Sequence, residues 1–212
     1  MQINWTEHFV PLLTQYGKRK HPLDYENRYQ LLVMVILSAQ DSDKHINDLS
    51  KKFFAAYPTM NILAKATVED LHQQLSKVRN FNNKINWLIN LAQIVGDDEK
   101  IPSTLAELTK LSGIGRKSAN VIIRESGGKA EGIIVDLHVV RVAPRIGVAS
   151  SDKPEKIEKQ LMEAVPKKEK WNELGMAISF LGREICRPKG PKCSICVMNP
   201  VCEYYKETNK IG

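Results

Sequence analysis

Apolar residues recur at helical spacing through most of the chain, and the alternating apolar and polar register of a strand is nearly absent. Between Thr6 and Tyr16 the residues Phe9, Val10, Leu12 and Leu13 share a helical face, with Gly17 as a stop. Asn27 to Ala39 predicts a second helix, apolar nearly all round from Leu31 to Leu37, as suits the middle of a bundle. Gln40 ends it. Asp41-Ser42-Asp43 then offers capping oxygens for a helix marked by Ile46, Leu49, Phe53 and Phe54. Thr67 and Asp70 form a capping box for a helix reaching Leu75, and Asn82 to Val95 turns Ile85, Leu88, Ile89, Ala92 and Val95 inward. Thr104 and Glu107 open a helix expected to end at Leu111, and Lys117 to Ser126 forms another, closed by Gly127-Gly128. Val139 to Gly147, Pro154 to Val165 and Trp171 to Ile185 complete an all-α chain without fixed-period repeats or low-complexity segments.

Charge narrows the function classes. Lysine and arginine number 31 against 24 aspartates and glutamates, a net charge of +7 that favours a polyanionic partner. The longest apolar run, Leu31 to Leu37, falls far short of the roughly 18 residues a membrane span needs, so no membrane partner is expected. The opening MQINWTEHFV lacks a basic region, apolar core and cleavage site, which predicts a cytoplasmic, reducing setting. Four cysteines confined to residues 186 to 202 then read as metal ligands rather than disulfides.

The candidate chemistry is concentrated after residue 110. Gly113-Ile114-Gly115 joins two helical stretches, a turn that can expose backbone N–H groups to an anion, with Arg116 and Lys117 opening the second stretch. It is not a nucleotide-binding loop, because the earlier glycine of that pattern is missing and a helix rather than a strand precedes it. A tight helix connection, a solvated lysine and a helix-capping Asp136 are the structural alternatives. Gln40, at a helix junction, has one too: it can simply satisfy helix-end carbonyls. The cysteines, spaced C-x6-C-x2-C-x5-C as Cys186, Cys193, Cys196 and Cys202, suit zinc or a [4Fe-4S] cluster.

Gly113 to Val121, followed by Val135 to Val142 with Asp136 inside it, resembles the helix-hairpin-helix and catalytic aspartate of the endonuclease III family of DNA glycosylases. Leu32 to Gln40 is similar to that family's early buried helix and glutamine loop, and the four cysteines match its iron–sulfur loop. The likeness covers residues 21 to 205. It implies an all-α, two-domain helix-hairpin-helix glycosylase fold, with a six-helix barrel domain over residues 21 to 130 and an iron–sulfur cluster domain from residues 1 to 20 and 131 to 212. The active site is expected in the cleft between them. It further implies a bifunctional DNA glycosylase/AP lyase of base excision repair, a monomer acting on double-stranded DNA that contains a damaged base or abasic site, with oxidised pyrimidines the foremost substrates.

The resemblance also implies roles. Lys117 would attack the sugar C1′, a step that requires the neutral amine. Asp136 would assist that attack and stabilise developing positive charge. Gly113, Gly115 and Arg116 would hold a phosphate, and Gln40 would enter the DNA helix where a base has turned out. Asn80 stands where the family commonly has a leucine wedge, beside Phe81, which is expected to pack inward. Arg187, Lys189 and Lys192 would lie on phosphates beside a [4Fe-4S] cluster held by Cys186, Cys193, Cys196 and Cys202. Ser112 and Leu137 depart from the family's frequent proline and threonine. Adenine glycosylases of the superfamily carry a glutamate in the early helix where this chain has Val35-Ile36-Leu37-Ser38, which disfavours that branch. The alternatives are a same-fold glycosylase for alkylated or mismatched bases and a non-catalytic DNA-binding scaffold with a structural metal.

Overall fold

The computed structural model describes residues 3 to 209. Residues 1, 2 and 210 to 212, which the expected second domain includes, lie outside them. Among the described residues the regular structure is helical, with no strand. By internal contacts the chain divides into two compact units, one of His21–Gly128 and one of Met1–Lys20 with Lys129–Gly212.

The helix expected from Thr6 to Tyr16 is broken into α1, Trp5–His8, and α2, Val10–Tyr16. Pro11 at the start of α2 has no N–H to continue the ladder, and its fixed φ suits a first turn. Gly17 follows in right-handed geometry, φ −59°, so it ends the helix without the left-handed turn a glycine permits.

In the unit His21–Gly128 the helices are α3 Arg28–Leu37, α4 Asp43–Ala56, α5 Met60–Leu63, α6 Val68–Leu75, α7 Phe81–Val95, α8 Leu105–Leu108 and α9 Arg116–Glu125. α3 is the centre: Leu31 to Leu37 are all buried, and the helix packs on α4, α7 and α9. Each such side chain contributes about 1.5–3 kcal/mol when fully buried, which is why a segment with no polar face is stable here. The side chains of Asn27, Ser42, Thr59, Thr67 and Thr104 each accept a hydrogen bond from a first-turn N–H of the helix that follows. The exceptions are α7 and α9, where Asn80 and Gly115 make no side-chain cap. Those two helix starts carry Asn80, Arg116 and Lys117, while Gln40 lies just beyond the end of α3.

α8 stops at Leu108 instead of Leu111. The chain winds on through bonds of three-residue spacing, Lys110 N–H to Glu107 O, Leu111 to Leu108 and Ile114 to Leu111, tightening into the glycine turn. Phe81 is only half-buried, edge-on to His72 at 5.0 Å, so it is partly the inward residue expected.

The second unit adds α10 Leu137–Ile146, α11 Pro154–Ala164, α12 Trp171–Glu184 and α13 Glu203–Asn209 to α1 and α2. α12 is buried from Leu174 to Gly182 and packs on α2 and α10, while α10 also meets α11 and α13. Both ends of α10 are therefore fixed by this core, and its N-terminus presents Asp136.

Candidate active site and cysteine recess

The two hairpin glycines differ in what requires them. Gly113 has φ +81°, and a Cβ there would lie 2.8 Å from the Trp87 ring, so both backbone and space demand glycine. Gly115 is extended at φ −86° and ψ 175°, a conformation any residue adopts, and nothing lies within 4 Å of where its side chain would begin. The opening at Gly115 is thus unused by the protein itself. Ser112 Oγ donates to Asn90 Oδ1 at 2.9 Å and fastens the hairpin to α7. Arg116 and Lys117, the first two residues of α9, are both exposed at its positive end.

Asp136 caps α10. Its Oδ1 accepts from the N–H groups of His138 and Val139, at 2.9 Å each, and its Oδ2 accepts from Ser179 Oγ at 2.6 Å. The carboxylate is half-buried and held at both oxygens, so the capping alternative is real and leaves the group rigidly aimed. The serine is fully buried in α12. Leu137, next to it, is 70% exposed. One turn on, Arg141 lies 3.2 Å from His138 Nδ1 and donates to Gly182 O at 2.9 Å and Cys186 O at 3.1 Å. A guanidinium only donates, so His138 Nδ1 is an acceptor here.

Gln40 and Asn80 are the two non-glycine residues with positive φ among the described residues, at 61° and 58°, and both are exposed. The structural alternative for Gln40 does not hold. The carbonyls at the end of α3, Leu37 O and Ala39 O, accept instead from the Lys84 ammonium, at 2.7 Å each. Asn80 Oδ1 accepts from Asn83 Nδ2 at 2.9 Å, which leaves its own amide N–H groups to point elsewhere.

Cys186, Cys193, Cys196 and Cys202 are free thiols that line one recess, with Val142 and Leu181 among its apolar walls. Burial, reinforced by the neighbouring thiols, pushes Cys193, Cys196 and Cys202 up, Cys196 to about 11. Among the described residues no three His, Cys, Asp or Glu side chains converge as a single bound ion requires. Arg145 braces the rim: its Nη1 lies 3.5 Å from Cys186 Sγ and donates to Arg187 O at 2.9 Å, and its guanidinium covers the Tyr204 ring at 4.7 Å. Arg187, Lys189 and Lys192 project from this loop and are exposed. The sequence pattern missed Lys84, Ser179, Arg141 and Arg145. Only Lys84 left a trace there, as a lysine on the buried face of α7.

Comparison with known proteins finds relatives along nearly the whole chain. The model of the HhH-GPD superfamily of base excision DNA repair proteins matches residues 33–167. Endonuclease III of Rickettsia felis is 38% identical over 88% of this chain and 87% of its own length. Endonuclease III of Synechocystis is 31% identical over 93% of this chain and 90% of its own. A solved non-covalent complex of endonuclease III with DNA superposes with a TM-score of 0.87 at 29% identity, covering 99% of this chain and 100% of that one. With sequence likeness running along nearly the whole length of both partners, the chain belongs to the endonuclease III family of HhH-GPD base excision DNA repair proteins.

Proposed function

We propose that this DNA glycosylase/AP lyase of base excision repair removes oxidised pyrimidines from duplex DNA through an imine formed at Lys117 and nicks the strand by β-elimination. The observation that carries the reading is the amine of Lys117, exposed at the start of α9 two residues beyond an open glycine turn. The turn holds a DNA phosphate, and the amine attacks C1′ of the nucleotide flipped from the stack. The glycosidic bond breaks as the base leaves with its electron pair. Lys117 is exposed in the protein alone, so the bound nucleotide supplies the desolvation that favours a neutral amine. Asp136 stabilises the positive charge that develops at the sugar. A panel of duplexes with one lesion each, scored separately for base release and nicking, tests the substrate class. Release confined to alkylated or mismatched bases would overturn the pyrimidine assignment.

The reading separates the two hairpin glycines. Gly113→Ala is expected to lose about 2–5 kcal/mol of stability, from a left-handed backbone and the overlap with Trp87. Gly115→Ala should stay within about 1 kcal/mol of wild type in thermal unfolding. It should nonetheless bind duplex DNA more weakly, because the new methyl occupies the opening meant for the phosphate. Equal stability losses with equal DNA binding would mean that both glycines serve the turn alone.

The four thiols, unevenly spaced rather than set in two short pairs, are assigned to a [4Fe-4S] cluster rather than to one zinc ion. Bound there, the cluster would crosslink residues 186 to 202 and hold Arg187, Lys189 and Lys192 over phosphates. Iron and acid-labile sulfide in equal amounts are expected in the purified protein, and Cys196→Ser should lose both and melt at a lower temperature. Stoichiometric zinc without sulfide, in protein made anaerobically with ample iron, would contradict the assignment. Among the described residues no helix is long and apolar enough to cross a membrane. The protein acts in the cytoplasm as a monomer, and the net charge of +7 supports association with double-stranded DNA.

A further inference from the structure

Gln40 and Asn80 hold left-handed backbones, uncommon for glutamine and more readily adopted by asparagine. Two side chains of the same unit brace them from opposite directions. Asp41 follows Gln40 directly; its Oδ1 accepts from its neighbour Ser42 N–H and from His45 Nδ1, at 2.8 Å each. Its other oxygen reaches 38 residues along the chain to the backbone N–H of Arg79, at 2.9 Å, the residue just before Asn80. Lys84 lies one turn into α7, where its own N–H donates to Asn80 O at 3.2 Å. Its side chain runs back through the core, and the residue is 1% exposed. The ammonium donates to Leu37 O and Ala39 O, on the other side of Gln40. Each turn is thus flanked by a bond to the other.

Neither bond is what packing alone would select. Burial pushes the Lys84 ammonium below its ordinary value, and a methionine would fill the same space without that cost. Burial pushes the Asp41 carboxyl up, yet the hydrogen bonds from Arg79, His45 and Ser42 outweigh it and hold the group below its ordinary value.

We propose that Asp41 and Lys84 are positioning residues that lock the Gln40 and Asn80 turns into one rigid unit, and that this unit sets the preference for the base opposite the lesion. The proposal rests on the reading that both turns enter the duplex. A locked pair presents its two amide side chains at fixed separation, so one opposite base can match them while others leave hydrogen-bonding groups unpaired.

Nicking rates are measured in single turnover on duplexes with one abasic site opposite each of the four bases. The proteins are wild type, Gln40→Ala, Asn80→Ala, Asp41→Ala, Lys84→Met and His45→Gln. Amide hydrogen exchange at Arg79 is followed in DNA-free protein. Asp41→Ala and Lys84→Met should reduce the ratio of best to worst opposite base by about threefold or more. Asp41→Ala should also speed exchange at Arg79 by about tenfold or more. His45→Gln removes one of the two local partners of Asp41, leaves the Ser42 and Arg79 N–H bonds, and should keep both values. Should Lys84→Met fail to fold, Asp41→Ala decides alone, since that side chain lies at the rim of the unit. A uniform fall in rate with an unchanged ratio in Asp41→Ala overturns the proposal while Gln40→Ala and Asn80→Ala still shift the ratio. An unchanged ratio in Gln40→Ala and Asn80→Ala as well, or a wild-type ratio near one, overturns the underlying reading and the proposal with it.

Discussion

Lys117→Gln should bind duplex DNA as wild type does and lose nicking at an abasic site by about a thousandfold or more. The expectation follows from position. Lys117 is exposed in the first turn of α9, and glutamine forms helix nearly as well as lysine. What disappears is the nucleophile. Binding measured on an abasic-site analogue separates the two effects, and a parallel fall in affinity and rate would assign Lys117 to phosphate binding instead.

Asp136→Asn is the second large effect, a fall in base release of about a hundredfold or more with folding intact. The hydrogen bonds around Asp136 make this substitution unusually clean. An asparagine Oδ1 can still accept from the N–H groups of His138 and Val139, which keeps the cap of α10. Its amide nitrogen can donate to Ser179 Oγ, whose hydroxyl turns to accept. Only the negative charge is lost, and losing it cannot weaken attraction for phosphate. A melting temperature near wild type with slow base release is the expected pair of results; a low melting temperature would reduce Asp136 to a structural cap.

What the sequence made legible was whatever depends on neighbours in the chain. Asn27, Ser42, Thr67 and Thr104 cap the helices whose starts their spacing predicts, and the unbroken apolar run of α3 is the buried centre of its unit. The start of α10 was expected two residues late, at Val139, because Leu137 lies off the apolar stripe of Val139, Val142, Ala143 and Ile146. α13 carries no such stripe and went unread. Pro11 splits the first helix through a missing N–H, a local effect that apolar spacing does not register.

The parts that escaped depend on residues far apart in the chain. Lys84, Leu88, Leu91 and Val95 follow one helical face, but a charge on a buried face has meaning only when its acceptors, 45 and 47 residues away, are known. The Asp41 to Arg79 bond and the Ser179 to Asp136 bond are of the same kind. Gly113 and Gly115 look alike in sequence, and only Trp87 and the open space tell them apart. Gln40 read equally well as a carbonyl cap until Lys84 was found in that place.

The central claim is that one amine, that of Lys117, becomes covalently joined to the sugar of the damaged nucleotide. Wild-type protein treated with borohydride on lesion-containing duplex should be trapped on the DNA, and mass spectrometry of the digested adduct should place the sugar remnant on Lys117 alone. A remnant on another lysine or on the N-terminal amine, or an adduct that forms at the wild-type rate in Lys117→Gln, would contradict it.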